Sequence, residues 1–355
     1  MRLFKILVVL ILFVGVGYGI GLFFDQKSEW LSPKGNGSKV EVVKQKNTGY
    51  LAQYNFENLR ERKNEASKIT ILGESTILGE ARENVLKEYK KEGIKKENNF
   101  KSFEILFESN GKKISGMLNI PMTPRSNKMP AIIMIRGYAE SVGYFVGSGS
   151  WKAADELARN GFVTVSLDFL GYGKSSDESK DILEARFEKP VSVLDLIESV
   201  KLVDYVDDRR IGIWAHSNGG QIAISVLEIT GQNYPTVLWA PMTNPFPDSV
   251  LETMDDSENG KIVKQKIYDF EENYDSKLYS IDNFYDWINS PILIHQGTDD
   301  VWCEVKWQEE LQKKLEKLGK EVILDVRYGS DHNLKQSWDE VMGMDIEFFK
   351  EKFGM

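Results

Sequence analysis

From residue 103 onward, short apolar runs alternate with amphipathic stretches of ten or more residues. Residues 103–108 and 113–120 are apolar-rich runs on either side of Asn110-Gly111, which predicts a hairpin closed by a two-residue turn. The pattern then predicts strand 131–135, helix 150–160, strand 162–167, helix 190–206, strand 210–215, helix 218–229 and strand 236–240. Strand 291–295, helix 304–318, strand 321–327 and helix 336–352 complete it. Strands that alternate with helices of this length imply an α/β fold with a mostly parallel, doubly wound sheet covered on both faces. In such sheets the site lies at the carboxyl ends of the strands.

Residues 242–287 break the alternation. They are acidic and aromatic, with Phe246, Tyr268, Phe270, Tyr274, Tyr279, Phe284, Tyr285 and Trp287. Their position predicts a lid insertion; a second expectation, compatible with the first, is that these rings pack inward on the core. Residues 51–102 are charged, with helical patterns at 56–65 and 80–91, and too few apolar positions for a core of their own. Residues 25–50 are polar and read as a tether.

The pattern at the amino end is of another kind. Residues 6–24 carry no charge, with Arg2 and Lys5 before them and Asp25 after. At 1.5 Å per residue such a run spans about 28 Å, close to a hydrocarbon core. The organisation expected is a membrane anchor at 1–25, a tether and extension at 26–102, and the α/β domain at 103–355. The basic flank puts the amino terminus in the cytoplasm and the main domain outside. The alternative is a signal peptide, with secretion after cleavage; no A-x-A site occurs, although Gly19-Ile20-Gly21 offers small residues.

Composition narrows the chemistry. The net charge is −9 and no basic stripe appears, which argues against a nucleic-acid partner. The single cysteine, Cys303, excludes an intrachain disulfide. No Cys/His cluster has metal-ligand spacing and no glycine-rich loop has a phosphate-binding pattern, so no cofactor is implied.

One constellation remains. In Gly212-Ile213-Trp214-Ala215-His216-Ser217-Asn218-Gly219-Gly220 a strand runs into a serine and then directly into a helix. This is a nucleophile elbow with alanine for the first glycine of G-x-S-x-G. The bend requires Ala215 and Gly219 to be small, lifts Ser217 above the sheet, and offers the Asn218 N–H to an oxyanion. A serine hydroxyl needs a base. Of three histidines, His216 precedes the serine and is expected to point away from it, and His295 lies in the apolar strand 291–295. His332 lies in a polar turn after a strand, which leaves it as the base. The orienting acid falls between serine and histidine in this kind of sheet, at Asp299 or Asp300. The second oxyanion donor is expected at the turn after strand 131–135, at the Tyr138 N–H, with Arg136 bracing that loop.

With these residues in view, the chain resembles the catalytic domain of the prolyl oligopeptidase (S9-type) serine peptidases, within the α/β-hydrolase superfamily. The likeness rests on residues 107–121, on Asp168-Phe169-Leu170-Gly171-Tyr172-Gly173-Lys174-Ser175, on the elbow, on His295-Gln296-Gly297-Thr298-Asp299-Asp300 and on Asp331-His332-Asn333. The resemblance implies that the acid is Asp300, third after Gly297. It implies a serine hydrolase acting on small peptides first, with carboxylesterase or dienelactone-hydrolase-like ester cleavage as the alternative. A non-catalytic binding protein on the same fold is the rival from another class, opposed by the intact Ser217, Asp300 and His332 set. Arg136 departs from the family pattern, which has histidine there. The many-bladed propeller of the oligopeptidases has no room in the about 75 residues between Asp25 and the α/β domain, since blades take ~40–45 residues each.

Overall fold

The computed structural model describes residues 48–76, 79–91, 97, 99–122, 128–252 and 257–355. The apolar run 6–24 lies outside them; among the described residues, no helix is long and apolar enough to cross a membrane. Strands β1 (Thr70–Glu74), β2 (Phe100–Ser109), β3 (Lys112–Pro121), β4 (Met129–Ile135), β5 (Val163–Leu167), β6 (Val206–His216), β7 (Thr236–Trp239), β8 (Ile292–Gly297) and β9 (Val322–Arg327) form one sheet. Their order is β1-β2-β3-β5-β4-β6-β7-β8-β9.

Asn110 and Gly111 both adopt positive φ, 47° and 70°, as the tight turn between β2 and β3 demands. Strands β4 to β9 run parallel, and β1 to β3 are antiparallel to their neighbours. Strands β4, β5, β7 and β8 are buried at every position, which explains why they read as unbroken apolar runs.

Helices cover both faces. They are α1 (Phe56–Glu61), α2 (Gly79–Lys91), α3 (Trp151–Arg159), α4 (Ile182–Lys201), α5 (Asn218–Thr230), α6 (Asp248–Leu251), α7 (Glu258–Asn273), α8 (Val305–Lys317) and α9 (Trp338–Phe353). One core packs α4, α5 and α8 on the sheet through Phe187, Leu194, Ile222, Leu227 and Leu311. The other packs α3 and α9 on the opposite face through Leu157, Phe348 and Phe349.

Helix α4 begins eight residues before the expected 190, because Asp181 caps it by accepting the Leu183 and Glu184 N–H groups. Pro190 then sits inside the helix, where its missing N–H leaves the Arg186 carbonyl without an i−4 donor. Strand β6 starts at Val206, within the stretch expected to be helical. The aromatic residues of 242–287 follow the inward expectation for the most part. Phe246, Phe270, Tyr274 and Tyr279 are buried around Phe187 of α4, with ring centroids 4.9 to 5.6 Å from Phe187 for Phe246, Phe270 and Tyr279. Tyr268 stays exposed.

The connection from β4 to β5 runs to one side of β4, and that from β5 to β6 returns to the other. The order therefore switches between β4 and β6. A crevice at the carboxyl ends of the strands opens at such a point.

Candidate active site

Ser217 terminates β6 and stands directly before α5. Its backbone has φ 56° and ψ −125°, a conformation that costs a side-chain-bearing residue about 1–3 kcal/mol. Three hydrogen bonds hold it there. Its N–H donates to the Trp239 carbonyl at 2.9 Å, and its carbonyl accepts from the N–H groups of Gly220 and Met242, each at 2.9 Å. The end of β7 thus fixes the bend. Gly219 must be small because a β-carbon there would lie 2.4 Å from the Ile135 carbonyl oxygen and 2.6 Å from that of Arg136, at the end of β4.

The acid and histidine loops come together at the ends of β8 and β9. Gly297 permits this, since a β-carbon on it would lie 2.1 Å from the Ser330 carbonyl oxygen. The Asp299 N–H donates to that same carbonyl at 3.0 Å. Asp300 Oδ2 lies 2.8 Å from His332 Nδ1, with the Asp300 side chain fully buried and that of His332 16% exposed. Asp299 points elsewhere and accepts from the Thr298 hydroxyl at 3.1 Å. Burial alone would raise the Asp300 pKa. Hydrogen bonds from His332, the Cys303 and Trp302 N–H groups and Gln296 outweigh it and hold the carboxyl below its usual range. Asp300 is therefore an anion at neutral pH, and His332 Nδ1 is the donor of the pair.

His216 does not lie apart from this group. Its ring centroid is 4.8 Å from that of His332, and its Nε2 donates to the His332 carbonyl at 3.0 Å. Burial, and then the charge His332 can carry, push the His216 pKa down to about 4, so the ring is neutral with its proton on Nε2. The strand period could have revealed this contact, because His216 shares a face of β6 with Trp214 and that face meets α9. A groove of about 460 Å³ opens beside His216, lined among others by Trp151, Lys152, Lys335 and Trp338.

Tyr138 follows β4, and its side chain is exposed. Arg136 is buried beneath it. Its guanidinium donates to the Gly137 carbonyl at 2.8 Å and to the Asp168 carbonyl at 2.7 Å, and it lies 4.2 Å from the Tyr172 ring centroid. In a trans peptide the N–H points opposite to the C=O. Arg136 therefore turns the Tyr138 N–H away from itself by holding the Gly137 oxygen. Among the described residues, neither the Tyr138 nor the Asn218 N–H has a protein acceptor, and neither Ser217 Oγ nor His332 Nε2 has a hydrogen-bond partner.

Residues 150–355 match the model of the prolyl oligopeptidase family, Peptidase_S9. The chain belongs to the prolyl oligopeptidase family. It is accordingly a serine hydrolase of the α/β-hydrolase superfamily. Among curated proteins, no sequence matches the chain. Solved structures share its fold. Acetyl xylan esterase 1 from Thermoanaerobacterium sp. JW/SL YS485 aligns with a TM-score of 0.56 at 16% identity, over 82% of this chain and 98% of that one. Dipeptidyl peptidase 4 of Porphyromonas gingivalis gives 0.56 at 15% identity, over 76% of this chain and 37% of that one. Est1E from Butyrivibrio proteoclasticus, solved with ferulic acid, gives 0.53 at 19% identity, over 70% and 99%.

One alternative use of the same atoms can be weighed. Asp300, Cys303 and His332 place their donor atoms within 4.8 Å of one another. Asp300 Oδ2 and His332 Nδ1 already bond each other at 2.8 Å, and burial with the Asp300 charge pushes the Cys303 thiol up from its usual value in the metal-free site.

Proposed function

We propose that Ser217 is the nucleophile of this hydrolase, His332 its general base and acid, and Asp300 the residue that orients His332. The 2.8 Å contact between Asp300 and His332 carries the reading. With Nδ1 donating to Asp300, His332 Nε2 is the lone-pair nitrogen that takes the Ser217 proton as Oγ attacks the acyl carbon. The Tyr138 and Asn218 N–H groups stabilise the tetrahedral oxyanion. Collapse breaks the scissile bond, and His332 passes its proton to the leaving group. Water then repeats the sequence on the acyl-Ser217 ester, with His332 again as base, and restores the free serine.

Small peptides are the first substrate class, through the family. Carboxylic esters are the second reading, favoured because an esterase aligns over 98% of its own length whereas the dipeptidyl peptidase does so over 37%. Short-chain p-nitrophenyl esters and dipeptidyl amides, Xaa-Pro included, assayed side by side with Ser217→Ala as control, decide between them. Amide cleavage that needs Ser217 establishes a peptidase. Ester turnover alone establishes an esterase, and full activity in Ser217→Ala removes the mechanism.

The uncharged run 6–24 supports a further proposal, that the enzyme is held on a membrane with its catalytic domain on the extracytoplasmic side. The expected result is that the full-length protein stays in the membrane pellet through an alkaline carbonate wash. Appearance of a shortened protein in the supernatant would favour cleavage instead.

A further inference from the structure

A small cavity lies beside the nucleophile elbow, under the residues that follow β7. Arg186 and Lys189 line one side of it, one helical turn apart on α4. Asn218 and Gln221, equally spaced on α5, line the other, and Phe246 and Tyr279 add apolar walls. Asn218 is the residue after Ser217, so the cavity adjoins the acyl-transfer centre.

Among the described residues, neither cation forms an ion pair. Arg186 donates to the Gln221 side-chain oxygen and, at 3.1 Å, to the Ser249 hydroxyl, both neutral. Lys189 Nζ has no hydrogen bond or ion pair among the described residues. The acid between them in sequence, Glu188, is engaged by Lys112 at 2.8 Å. Burial pushes the Lys189 ammonium down to about 8. The charges of Arg186 and Arg136 act in the same direction, against Glu178 and Glu188. Two neighbouring cations partly withdrawn from water are costly unless an anion completes them.

We propose that Arg186 and Lys189 form a carboxylate-binding subsite, so that the substrate is an ester or amide carrying a free carboxylate near its scissile carbonyl. The inference rests on Ser217 being the nucleophile. The cavity volume, about 40 Å³, sets the size of the group. A space this small suits a compact anionic group such as a carboxylate. The rest of the substrate must then leave the cavity along Asn218 toward Ser217.

The test compares mono-4-nitrophenyl glutarate with 4-nitrophenyl pentanoate, acyl groups matched in carbon count. The full-length enzyme is expected to favour the glutarate ester in kcat/KM by about tenfold or more, and Lys189→Met to reduce that ratio about tenfold. Arg186→Met should reduce it too, but it also forfeits the bonds to Gln221 and Ser249 and risks the fold. Lys189 has none to lose, so its variant carries the test. A tripeptide compared with its C-terminal amide asks whether a peptide terminus is the bearer of the charge. Preference for the acid in either pair supports the subsite. Preference in neither, or a ratio unmoved by Lys189→Met, removes it. Free glutarate should also raise the melting temperature of Ser217→Ala, and less so when Lys189→Met is added. Because this readout needs no hydrolysis, Lys189-dependent glutarate binding without turnover would sink the Ser217 mechanism alone, whereas turnover without carboxylate preference or glutarate binding would sink the subsite alone.

Discussion

Replacing Ser217 with alanine is expected to lower kcat by about a millionfold, and His332→Ala to do the same, while Asp300→Asn costs about ten-thousandfold. The order follows from the roles. On the proposed roles, loss of Ser217 removes the acyl-enzyme and loss of His332 removes the base that takes its proton. Without the Asp300 charge His332 remains but loses the anion that fixes its tautomer. The double variant Ser217→Ala, His332→Ala should be no worse than either single one, because the pair acts as a unit. KM should change little, since none of these side chains is asked to bind the ground state. Activity-grade protein is confirmed by an unchanged melting temperature. The measurement is kcat and KM on whichever substrate of the ester and amide panel is turned over. An Asp300→Asn variant with full activity would mean that the 2.8 Å contact orients a histidine that does no chemistry. A fall confined to KM would move Ser217 from nucleophile to substrate contact.

Much of this site was legible because its parts are local. The strand-serine-helix succession from 210 to 229 encodes the bend by itself, and the hairpin at Asn110-Gly111 needs only two turn residues. What the sequence concealed depends on residues far apart in the chain. The five positions of β1 are all exposed, so no apolar alternation marked it as a strand. Pro190 suggested a helix start because proline suits the first turn, yet the cap at Asp181 decides where α4 begins. The choice between Asp299 and Asp300 depended on a family pattern; the structure adds that Asp300 lies against His332, in a loop that Gly297 lets close onto Ser330. His216 was expected to point away from the serine. Its contact with His332 comes from β9 returning beside β8 more than a hundred residues later, as the 116-residue separation of that bond records. Arg186 and Lys189 carried no signal at all, since two cations on a helix read as a solvated face until α5 and the 242–287 segment cover them.

The least visible feature is also the one with the largest expected effect on stability. Asp345, fully buried on α9, accepts from Trp214 Nε1 at 3.2 Å and Trp239 Nε1 at 2.8 Å, and lies 2.9 Å from His295 Nε2. On the other side, His295 Nδ1 is 2.7 Å from Asp325, which also accepts from Arg327 at 2.6 Å. These groups tie β6, β7, β8 and β9 to α9 directly beneath the histidine loop. Burial alone would lower the His295 pKa, but its bonds to Asp325 and Asp345 raise it above its usual value. Asp345→Ala leaves that imidazolium with one carboxylate and strands two indole N–H groups. Breaking a buried pair in this way costs about 3–5 kcal/mol. It should appear as a lower urea midpoint with an unchanged m-value. The pH dependence has a definite sign. The folded state binds the His295 proton more tightly than the unfolded one, so the contribution is complete below the unfolded pKa of about 6.5 and is lost as pH rises through the folded value. The stability gap between wild type and Asp345→Ala should therefore be widest at pH 6 and narrow on the alkaline side. A gap that stays constant across that range would mean that His295 is neutral in the folded protein, and that Asp345 serves the two indoles alone.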